Sequence, residues 1–373
     1  MKRRTFLHNS GLSLLSLAVP ASLVAGSGKA APLKVAVIGL VHAHVHQILS
    51  DKKGNIEIIA IVEPNRVLAQ QYSKQHGYSM DIVFNTMEEM MAKKQPEAVT
   101  AFGTIFSHLA VVEFFAPKGI HVMVEKPLAV SLKHALRMKE LAQKHNIFLL
   151  TNYETTWYAT NTKAWKYIIE DKKAGDIRKL VFHTGHQGPI EIGCNPEFLE
   201  WLTDPVLNGA GALTDFGCYG ANIATWLMKG ELPQTVSCTT QHIKPEMYPK
   251  VEDESTIILT YPKTQVIIQA SWNWPFSVKN MEVFGQSGYL VCDDRSKLHY
   301  RWKGDAKSTE ETLTDNPQPY NDPFALLAAV TSKQITLSPF DLSSLDNNMV
   351  VMQILEAAKK SVATGAVVHL HSY

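Results

Sequence analysis

The chain is poor in charge and in cysteine, and both shortages limit what it can be. Charged residues make up only 19% of its 373 residues, and the formal net charge is +1. Proteins that bind nucleic acid carry a basic patch or stripe, so this balance argues against nucleic acid as a partner. The four cysteines form neither a CxxC pair nor a zinc-site spacing. Free buried thiols are the simplest interpretation, although an exported protein is able to pair them.

The chain also lacks internal repeats, low-complexity tracts and an apolar run of membrane-spanning length. Its N-terminal apolar run, Leu12 to Val24, falls short of the roughly 20 residues that a span requires. A basic start, Lys2-Arg3-Arg4, precedes this run, and small residues follow it. Residues 1–30 are therefore predicted to be an export signal of the twin-Arg type, which makes the mature protein periplasmic. A Sec signal with an incidental Arg pair and an uncleaved anchor are the alternatives.

Beyond this segment, the length suggests about two domains, and the hydrophobic pattern changes near residue 150. Residues 33–150 alternate buried apolar runs with amphipathic segments, which predicts a doubly wound parallel α/β sheet. Residues 151–340 contain half-polar alternating runs and predict an α+β domain with a mostly antiparallel sheet. Residues 341–373 predict an amphipathic helix, ended by Gly365, and a tail. The strands predicted in the second domain are 179–184, 235–242, 255–261, 265–274 and 279–284.

The first two predicted strands carry the layout of a dinucleotide site. The first strand ends at Gly39, and the second ends at Glu63. An acid at that place hydrogen-bonds a ribose 2′-hydroxyl and repels a 2′-phosphate, which favours NAD over NADP. Arg66 weakens this preference, because its charge suits a 2′-phosphate.

The glycine fingerprint of such a site is incomplete. Only the first glycine of G-x-G-x-x-G is present, because Val41 and His44 occupy the other two positions. The helix expected directly after Gly39 still offers amides and a positive dipole to phosphate. His42 adds a further donor.

The same loop contains His42-Ala43-His44-Val45-His46, which resembles the HxH opening of metal-dependent amidohydrolases. On a helix, however, only His42 and His46 share a face, and no matching cluster of ligands follows. We therefore predict no metal site, and solvent-facing or capping histidines instead.

Two further motifs carry groups that handle protons. Lys126 follows an apolar strand, where burial and neighbours shift a lysine's pKa, and Pro127 keeps its backbone extended. Asp215 and Tyr219 share one face if a helix runs through both. A helix cap is the alternative role for Asp215.

These motifs resemble those of the Gfo/Idh/MocA oxidoreductases, which act largely on sugars and polyols. Glu125-Lys126-Pro127 is similar to the family's Glu-Lys-Pro motif with its catalytic lysine. Residues 209–222 resemble its glycine-rich stretch that leads to Asp-x-Gly-x-His, with Tyr219 at the usual histidine. A tyrosine stands there in the exported glucose–fructose oxidoreductase branch and in the dimeric dihydrodiol dehydrogenases.

The resemblance implies an NAD(P)-dependent oxidoreductase that forms a homodimer or homotetramer. Tyr219 would be its proton shuttle, Lys126 the electrostatic partner, and Asp215 would orient one of the two. An ammonium about 4 Å away is worth about 4 kcal/mol at an effective dielectric of about 20, so Lys126 is expected to lower the pKa of Tyr219.

The resemblance and the strand ends together predict two sets of binding residues. Cofactor contacts are predicted at Gly39, Val41, His42, Glu63, Arg66, Gly103, Thr104, His108, Glu125 and Lys126. Substrate contacts are predicted at Asn152, Trp157, His183, His186 and Asn222. Asn222 stands where the family often has an acid.

Two other function classes remain open on the sequence. One is an NAD-dependent enzyme that cleaves a glycoside by oxidation, elimination and reduction, with no net redox change. The other is a non-catalytic periplasmic sugar-binding protein, which the incomplete glycine loop supports. The presence of both Lys126 and Tyr219 argues against the second class.

Overall fold

Six parallel strands form the first of two sheets in the computed structural model, which describes residues 31–50 and 54–370. The strand order is β3-β2-β1-β4-β5-β6, which confirms the predicted doubly wound fold. The order reverses between β1 and β4, so the carboxyl ends of these strands flank a crevice. The strands are β1 (Leu33–Ile38), β2 (Ile56–Val62), β3 (Val83–Phe84), β4 (Ala98–Ala101), β5 (His121–Glu125) and β6 (Leu149–Asn152).

Five helices connect these strands, and their ends follow the sequence signals. Asn65 accepts hydrogen bonds from two amides at the start of the second helix, and Gly77 ends that helix at a φ of +75°. Ser131 caps the fifth helix in the same way. The helices are α1 (Val45–Leu49), α2 (Arg66–His76), α3 (Met87–Met91), α4 (His108–Phe115) and α5 (Leu132–Lys144).

The prediction that a helix begins directly after Gly39 is wrong. Gly39 has a φ of +81°, and an added Cβ would lie 2.8 Å from the amide nitrogen of Gly103. The chain then turns through residues 40–44, and α1 begins only at Val45. A side-chain acceptor causes part of this turn, because the amide of His44 donates to Nδ1 of His42 at 3.1 Å.

The second sheet has nine strands in the order β14-β13-β12-β11-β7-β10-β9-β8-β15. All neighbours are antiparallel except β7 and β10, which confirms a mostly antiparallel sheet. The predicted strands are present, whereas β12 to β15 were not predicted. The strands are β7 (Ile177–Gly185), β8 (Thr235–Gln241), β9 (Glu254–Thr260), β10 (Gln265–Ser271), β11 (Val278–Gly285), β12 (Gly288–Cys292), β13 (Lys297–Trp302), β14 (Thr309–Thr312) and β15 (Val368–His369).

Helices cover one face of this sheet. An added Cβ on Gly220 would lie 2.6 Å from a methyl carbon of Ile268, so glycine permits close helix–sheet packing. The helices are α6 (Ala159–Trp165, continued by a π-helical turn), α7 (Pro196–Leu202), α8 (Pro205–Asn208), α9 (Ala212–Asp215), α10 (Gly217–Leu227), α11 (Pro323–Thr331) and α12 (Leu345–Thr364). Gly365 ends α12, as predicted.

The structure bears on the predictions about cysteine pairing and membrane-spanning segments. All four cysteines are free, and three of them are buried, which confirms the free-thiol interpretation. Within the described residues, no helix has both the length and the apolar character needed to cross a membrane. The predicted export signal, residues 1–30, lies outside the described residues.

Candidate active site

Lys126 lies at the carboxyl end of the parallel sheet and is held by one carboxylate. Its ammonium donates to Oδ1 of Asp215 at 2.5 Å and to the backbone carbonyl of Asp215 at 3.0 Å. The second carboxylate oxygen of Asp215 accepts from the indole of Trp272 at 3.0 Å. Asp215 therefore orients Lys126 and is not a helix cap.

Burial and charge act in opposite directions on this pair. Burial alone would lower the pKa of Lys126, but Asp215 outweighs it and raises that pKa above its usual range. Burial alone would raise the pKa of Asp215, but Lys126 lowers it below its usual range. The pair is therefore ionised at neutral pH.

Tyr219 lies against the other side of the Lys126 ammonium. The Nζ atom is 5.1 Å from the centroid of the phenol ring. The expected lowering of the tyrosine pKa is wrong for this structure, because burial and the carboxylate of Glu154 raise the pKa of Tyr219 well above 10. Asp215 already balances the charge of Lys126, so little of that charge favours a tyrosinate. Tyr219 is a neutral phenol at neutral pH.

Asp215 and Tyr219 do not lie on one uninterrupted helix. Helix α9 ends at Asp215, and α10 begins at Gly217, with Phe216 between them. Both side chains still reach Lys126 because the break turns α10 over the ammonium. The ring of Phe216 also approaches this charge, with Nζ 6.0 Å from its centroid.

A second lysine reaches Tyr219, and the sequence interpretation missed it. The Nζ atom of Lys279, on β11, is 5.0 Å from the centroid of the Tyr219 ring. Lys279 forms an ion pair with Glu154, whose other oxygen accepts from the hydroxyl of Tyr158 at 2.8 Å. No local motif marks these residues, because the contact joins segments 125 positions apart.

Glu125 is the centre of a buried cluster beside Lys126. Its oxygens accept from Nδ1 of His44 at 2.9 Å and from the amide of Asn152 at 2.7 Å. Burial opposes its ionisation, but the neighbouring His44 and His42 and the Asn152 amide lower the pKa of Glu125 to about 2. The indole of Trp157 donates to Asn152 at 3.1 Å and fixes the orientation of that amide.

His42, His44 and Glu125 are the one group of potential metal ligands of this kind within the described residues. Nδ1 of His42 accepts the amide proton of His44, so the neutral ring carries its own proton on Nε2. A metal at Nε2 would displace that proton and leave an imidazolate, whereas histidine normally binds metals as neutral imidazole. The three side chains suit a hydrogen-bonded cluster better than a metal centre.

The adenosine side of the predicted dinucleotide site is organised by Glu63. Its two oxygens accept from the amides of Leu40 and Asn65 at 3.0 and 2.8 Å. Burial raises the pKa of Glu63, and these two amides partly offset the rise. Arg66 donates to the carbonyl of Val83 at 3.1 Å, which leaves further donors on its guanidinium.

The loop after Gly39 uses most of its amides internally. The amides of Leu40, His42, His44 and Val45 have acceptors inside the protein. Within the described part of the chain, this leaves the amides of Val41 and Ala43 for a phosphate. The predicted phosphate-binding helix N-terminus is thus reduced to two loop amides before the short helix α1.

Two buried histidines carry unpaired ring atoms that suit a nicotinamide dinucleotide. Nε2 of His42 is a donor with no partner among the described residues. His108 donates from Nδ1 to the carbonyl of Leu128 at 3.2 Å, so its unpaired Nε2 is an acceptor. Burial lowers the pKa of His108 to about 4, which keeps the ring neutral. A ligand with phosphate, hydroxyl and amide groups satisfies both atoms, so the site fits NAD.

The loop between β4 and α4 completes the opposite wall of the crevice. Gly103 lies directly against Gly39, and Thr104 caps the turn that follows by accepting from the amide of Ser107 at 3.2 Å. Both residues thus shape the crevice in which cofactor contacts are predicted.

Helix α7 of the second sheet's domain packs onto the loop after Gly39. The indole of Trp201 donates to the carbonyl of Val41 at 3.3 Å, and its ring lies 5.5 Å from that of His42. Phe198 contacts the same histidine at 5.2 Å between ring centroids. Glu197 accepts from the hydroxyl of Tyr72 on α2 at 2.5 Å. Through Phe198 and Trp201, α7 therefore holds the loop after Gly39 in place.

The predicted substrate residues are divided between the site and other places. Asn152 and Trp157 lie in the site, and the ring of His186 lies 4.9 Å from Phe216, next to Lys126. Burial lowers the pKa of His186, although Asp215 opposes this.

His183 and Asn222 are not brought to the site. Phe182 and Thr184 line the cavity at Tyr219, so strand alternation places His183 on the opposite face of β7, where it contacts Asn280. Asn222 is fully buried and donates to the carbonyl of Leu342 at 2.8 Å, which ties α10 to the start of α12.

Comparisons with known proteins agree with this geometry. Residues 33–153 match the oxidoreductase family with an NAD-binding Rossmann fold, and residues 162–291 match the GFO/IDH/MocA C-terminal domain. The trans-1,2-dihydrobenzene-1,2-diol dehydrogenase of Xenopus tropicalis is 25% identical over 58% of this chain and 61% of its own length. The D-glucoside 3-dehydrogenase of Escherichia coli is 23% identical over 53% of this chain and 54% of its own length.

Solved structures share the fold over nearly the whole described chain. The aldose-aldose oxidoreductase from Caulobacter crescentus, complexed with glycerol, has a TM-score of 0.75 and 21% identity, covering 91% of this chain and 100% of that one. An inositol dehydrogenase homologue from Azotobacter vinelandii, complexed with NAD+, has a TM-score of 0.77 and 17% identity, covering 91% and 98%. The chain therefore belongs to the Gfo/Idh/MocA family of oxidoreductases.

Proposed function

We propose that this protein is an NAD(P)-dependent oxidoreductase that acts on a hydroxyl or keto group of a sugar, polyol or glycoside. The observation that carries the proposal is the juxtaposition of Lys126, Asp215 and Tyr219 beside Glu125 at the carboxyl end of the parallel sheet. The names of the relatives, which include diol, glucoside and inositol dehydrogenases, support the substrate class. Glu63 at the end of β2 favours NAD.

Each residue of this group has a role that follows from its protonation state. Lys126 holds a proton at Nζ, and Asp215 fixes the direction of that N–H group. Tyr219 holds a proton on its phenol oxygen. It donates this proton to the substrate carbonyl oxygen in reduction and takes the proton of the substrate hydroxyl in oxidation. When bound, the nicotinamide supplies or accepts the hydride.

The proposal is tested by offering the purified protein and NAD+ or NADP+ a panel of methyl D-glucosides, D-xylose, scyllo-inositol and trans-1,2-dihydrobenzene-1,2-diol. We expect reduced nicotinamide and a keto product with at least one compound. Tyr219→Phe removes one hydroxyl from the buried site and is expected to lower kcat by about 10²- to 10⁴-fold, the usual contribution of a positioned proton donor. Full turnover by Tyr219→Phe would contradict the assignment. A broken glycosidic bond without a keto product would indicate glycoside cleavage instead.

We further propose that residues 1–30 direct export by the twin-Arg route to the periplasm. The basic start and the short apolar run support this, and Tyr219 is consistent with the exported branch that the motifs resemble. A periplasmic enzyme meets little free NAD, so the proposal includes a cofactor that stays bound while one sugar is oxidised and another reduced.

A further inference from the structure

We infer that Lys279 and Glu154 form a proton relay that connects Tyr219 to a wider, solvent-facing cavity. This inference rests on the proposed oxidoreductase function and extends it. It assigns a role to an ion pair that belongs to none of the motifs of the sequence.

A relay is needed because the site is closed. Oxidation of a hydroxyl group releases one proton, and Tyr219 is only 2% exposed. On the side of Lys126, the hydrogen bonds lead only to Asp215, whose other oxygen accepts from the indole of Trp272. An indole N–H donates but cannot accept, so proton transfer ends there.

The side of Lys279 continues toward solvent. Lys279 and Tyr219 line the same small cavity, together with Thr155, Tyr158 and Thr184. Exposure of the side chains rises along the path, from buried Tyr219 to 22% for Lys279 and 37% for Glu154.

Glu154 also lines a second cavity, which connects the path to the outside. The polar side chains of Gln47, Arg295 and Asn321 share this cavity with Glu154. The hydroxyl of Tyr158 donates to Glu154 and lines both cavities, so it holds the carboxylate at their junction.

The transfer balances as follows. A hydride, with two electrons, leaves the substrate carbon for the bound nicotinamide, which is the oxidant. An ammonium proton of Lys279 first moves to Glu154, which leaves a neutral amine at Nζ. As the substrate hydroxyl proton moves to the phenol oxygen of Tyr219, the proton of Tyr219 crosses the shared cavity to this amine, which regains its charge. Glu154 then releases its proton to water. Reduction uses the same path in reverse.

The test compares Lys279→Met, Lys279→Arg and Glu154→Gln with the parent protein on the panel compound that the parent oxidises fastest. Lys307→Met, at an exposed lysine, is the matched control. The readouts are kcat, KM, the solvent deuterium isotope effect on kcat, recovery by added methylamine, and bound nucleotide.

For Lys279→Met we expect kcat to fall about 10²-fold, the low end for a proton-transfer group, with KM changed less than threefold. Methylamine should restore part of kcat, the isotope effect should increase, and Lys279→Arg should be less impaired. Glu154→Gln should show the same isotope effect without recovery by methylamine. Lys307→Met should match the parent.

Unchanged kcat in Lys279→Met and Glu154→Gln, with an active parent, overturns the relay and leaves the oxidoreductase function intact. The same holds if kcat falls with an unchanged isotope effect and no recovery by methylamine, since that is a structural loss. If Lys279→Met does not fold, Glu154→Gln and Lys279→Arg decide. An inactive parent that holds no nucleotide overturns the proposed function, and the relay with it.

Discussion

Lys126 is buried and donates hydrogen bonds to Asp215, which explains both its charge and its position. Removing one member of a buried ion pair leaves the other unpaired, which usually costs about 3–5 kcal/mol, more than the pair itself contributes. Asp215 therefore has two effects: it keeps Lys126 protonated, and its carboxylate and backbone carbonyl hold the ammonium in place.

Lys126→Met is expected to lose activity and stability together. We expect kcat to fall by about 10²- to 10⁴-fold and the free energy of unfolding by about 3–5 kcal/mol, because Asp215 stays buried without its partner. Urea unfolding and turnover assays measure both. The double variant with Asp215→Asn is the control and should regain part of the stability but no activity. Loss of equal stability in the double variant would contradict the pairing argument.

The pH dependence of the rate should differ between the two directions. The pKa values of Lys126 and Tyr219 are both raised, so both groups hold their protons through neutral pH. Carbonyl reduction should therefore be independent of pH near neutrality and fall only in alkali, whereas hydroxyl oxidation should rise with pH. Initial rates from pH 6 to 10 measure this. Oxidation that is fastest below pH 7 would show that another group is the base.

The free energy of unfolding should decrease at low pH as the ion pair between Lys126 and Asp215 is lost. The pKa of Asp215 is lowered in the folded state. Its contribution is therefore present above the unfolded value of about 3.9 and is lost as the pH falls through the lower folded value.

Sequence motifs predicted those site residues that are recognisable from the residues next to them in the chain. Lys126 follows its strand, and Asp215 and Tyr219 lie in one short glycine-rich stretch. Lys279 was missed because it meets Tyr219 only where α10 packs on the second sheet. His183 was assigned to the site because nothing in the sequence shows which face of β7 packs under α10.

At the scale of elements, the contact between α7 and the loop after Gly39 is the least expected feature. Two glycines of the fingerprint are absent, yet Val41 and His42 are held by aromatic side chains of α7. Only tertiary structure shows this compensation, because Trp201 and Val41 are 160 residues apart in the chain.

Trp201→Ala should therefore speed the release of nucleotide more than it changes kcat. It removes the indole bond to Val41 and leaves a cavity beside His42, and large-to-small core changes typically cost about 3–5 kcal/mol. We expect faster nucleotide release in a dilution assay. Trp201→Phe should release nucleotide at an intermediate rate.

Trp226→Phe is the control for this experiment, because Trp226 stacks on Trp165 instead of the loop. Equal release rates in the parent and Trp201→Ala would show that α7 does not hold the cofactor loop.

At the scale of the whole molecule, one face of the nine-stranded sheet carries half-buried apolar side chains. A row of residues crosses five neighbouring strands in register on this face. The row consists of Ile258, Ile267, Val181, Glu282 and Val291. Four of the five are apolar and half-buried, with Glu282 as the charged member, and we propose that a second copy of the chain covers this row.

Ile267→Glu should disrupt this assembly, because it places a charge between Ile258 and Val181, in the apolar part of the row. We expect a dimer or tetramer for the parent and a smaller species for the variant by size-exclusion chromatography with light scattering. Lys307→Glu, at an exposed lysine outside this row, is the comparison and should retain the parent mass. A monomeric parent at micromolar concentration would contradict the proposal.

The sequence predicted the fold class because both sheets have clear periodicities. Buried parallel strands read as continuous apolar runs, and the second sheet alternates. Strands β12 to β14 were missed because their exposed and half-buried residues lack a regular apolar period. The C-terminal strand β15 is two residues long and leaves no pattern to detect.

The crevice at Gly39 is expected to hold a nicotinamide dinucleotide despite Val41 and His44. The most direct measurement is to denature the purified, folded protein and to identify any released nucleotide by mass spectrometry. We expect NAD, with NADP as the less favoured result. A protein that releases no nucleotide and does not bind added NAD or NADP would contradict this expectation.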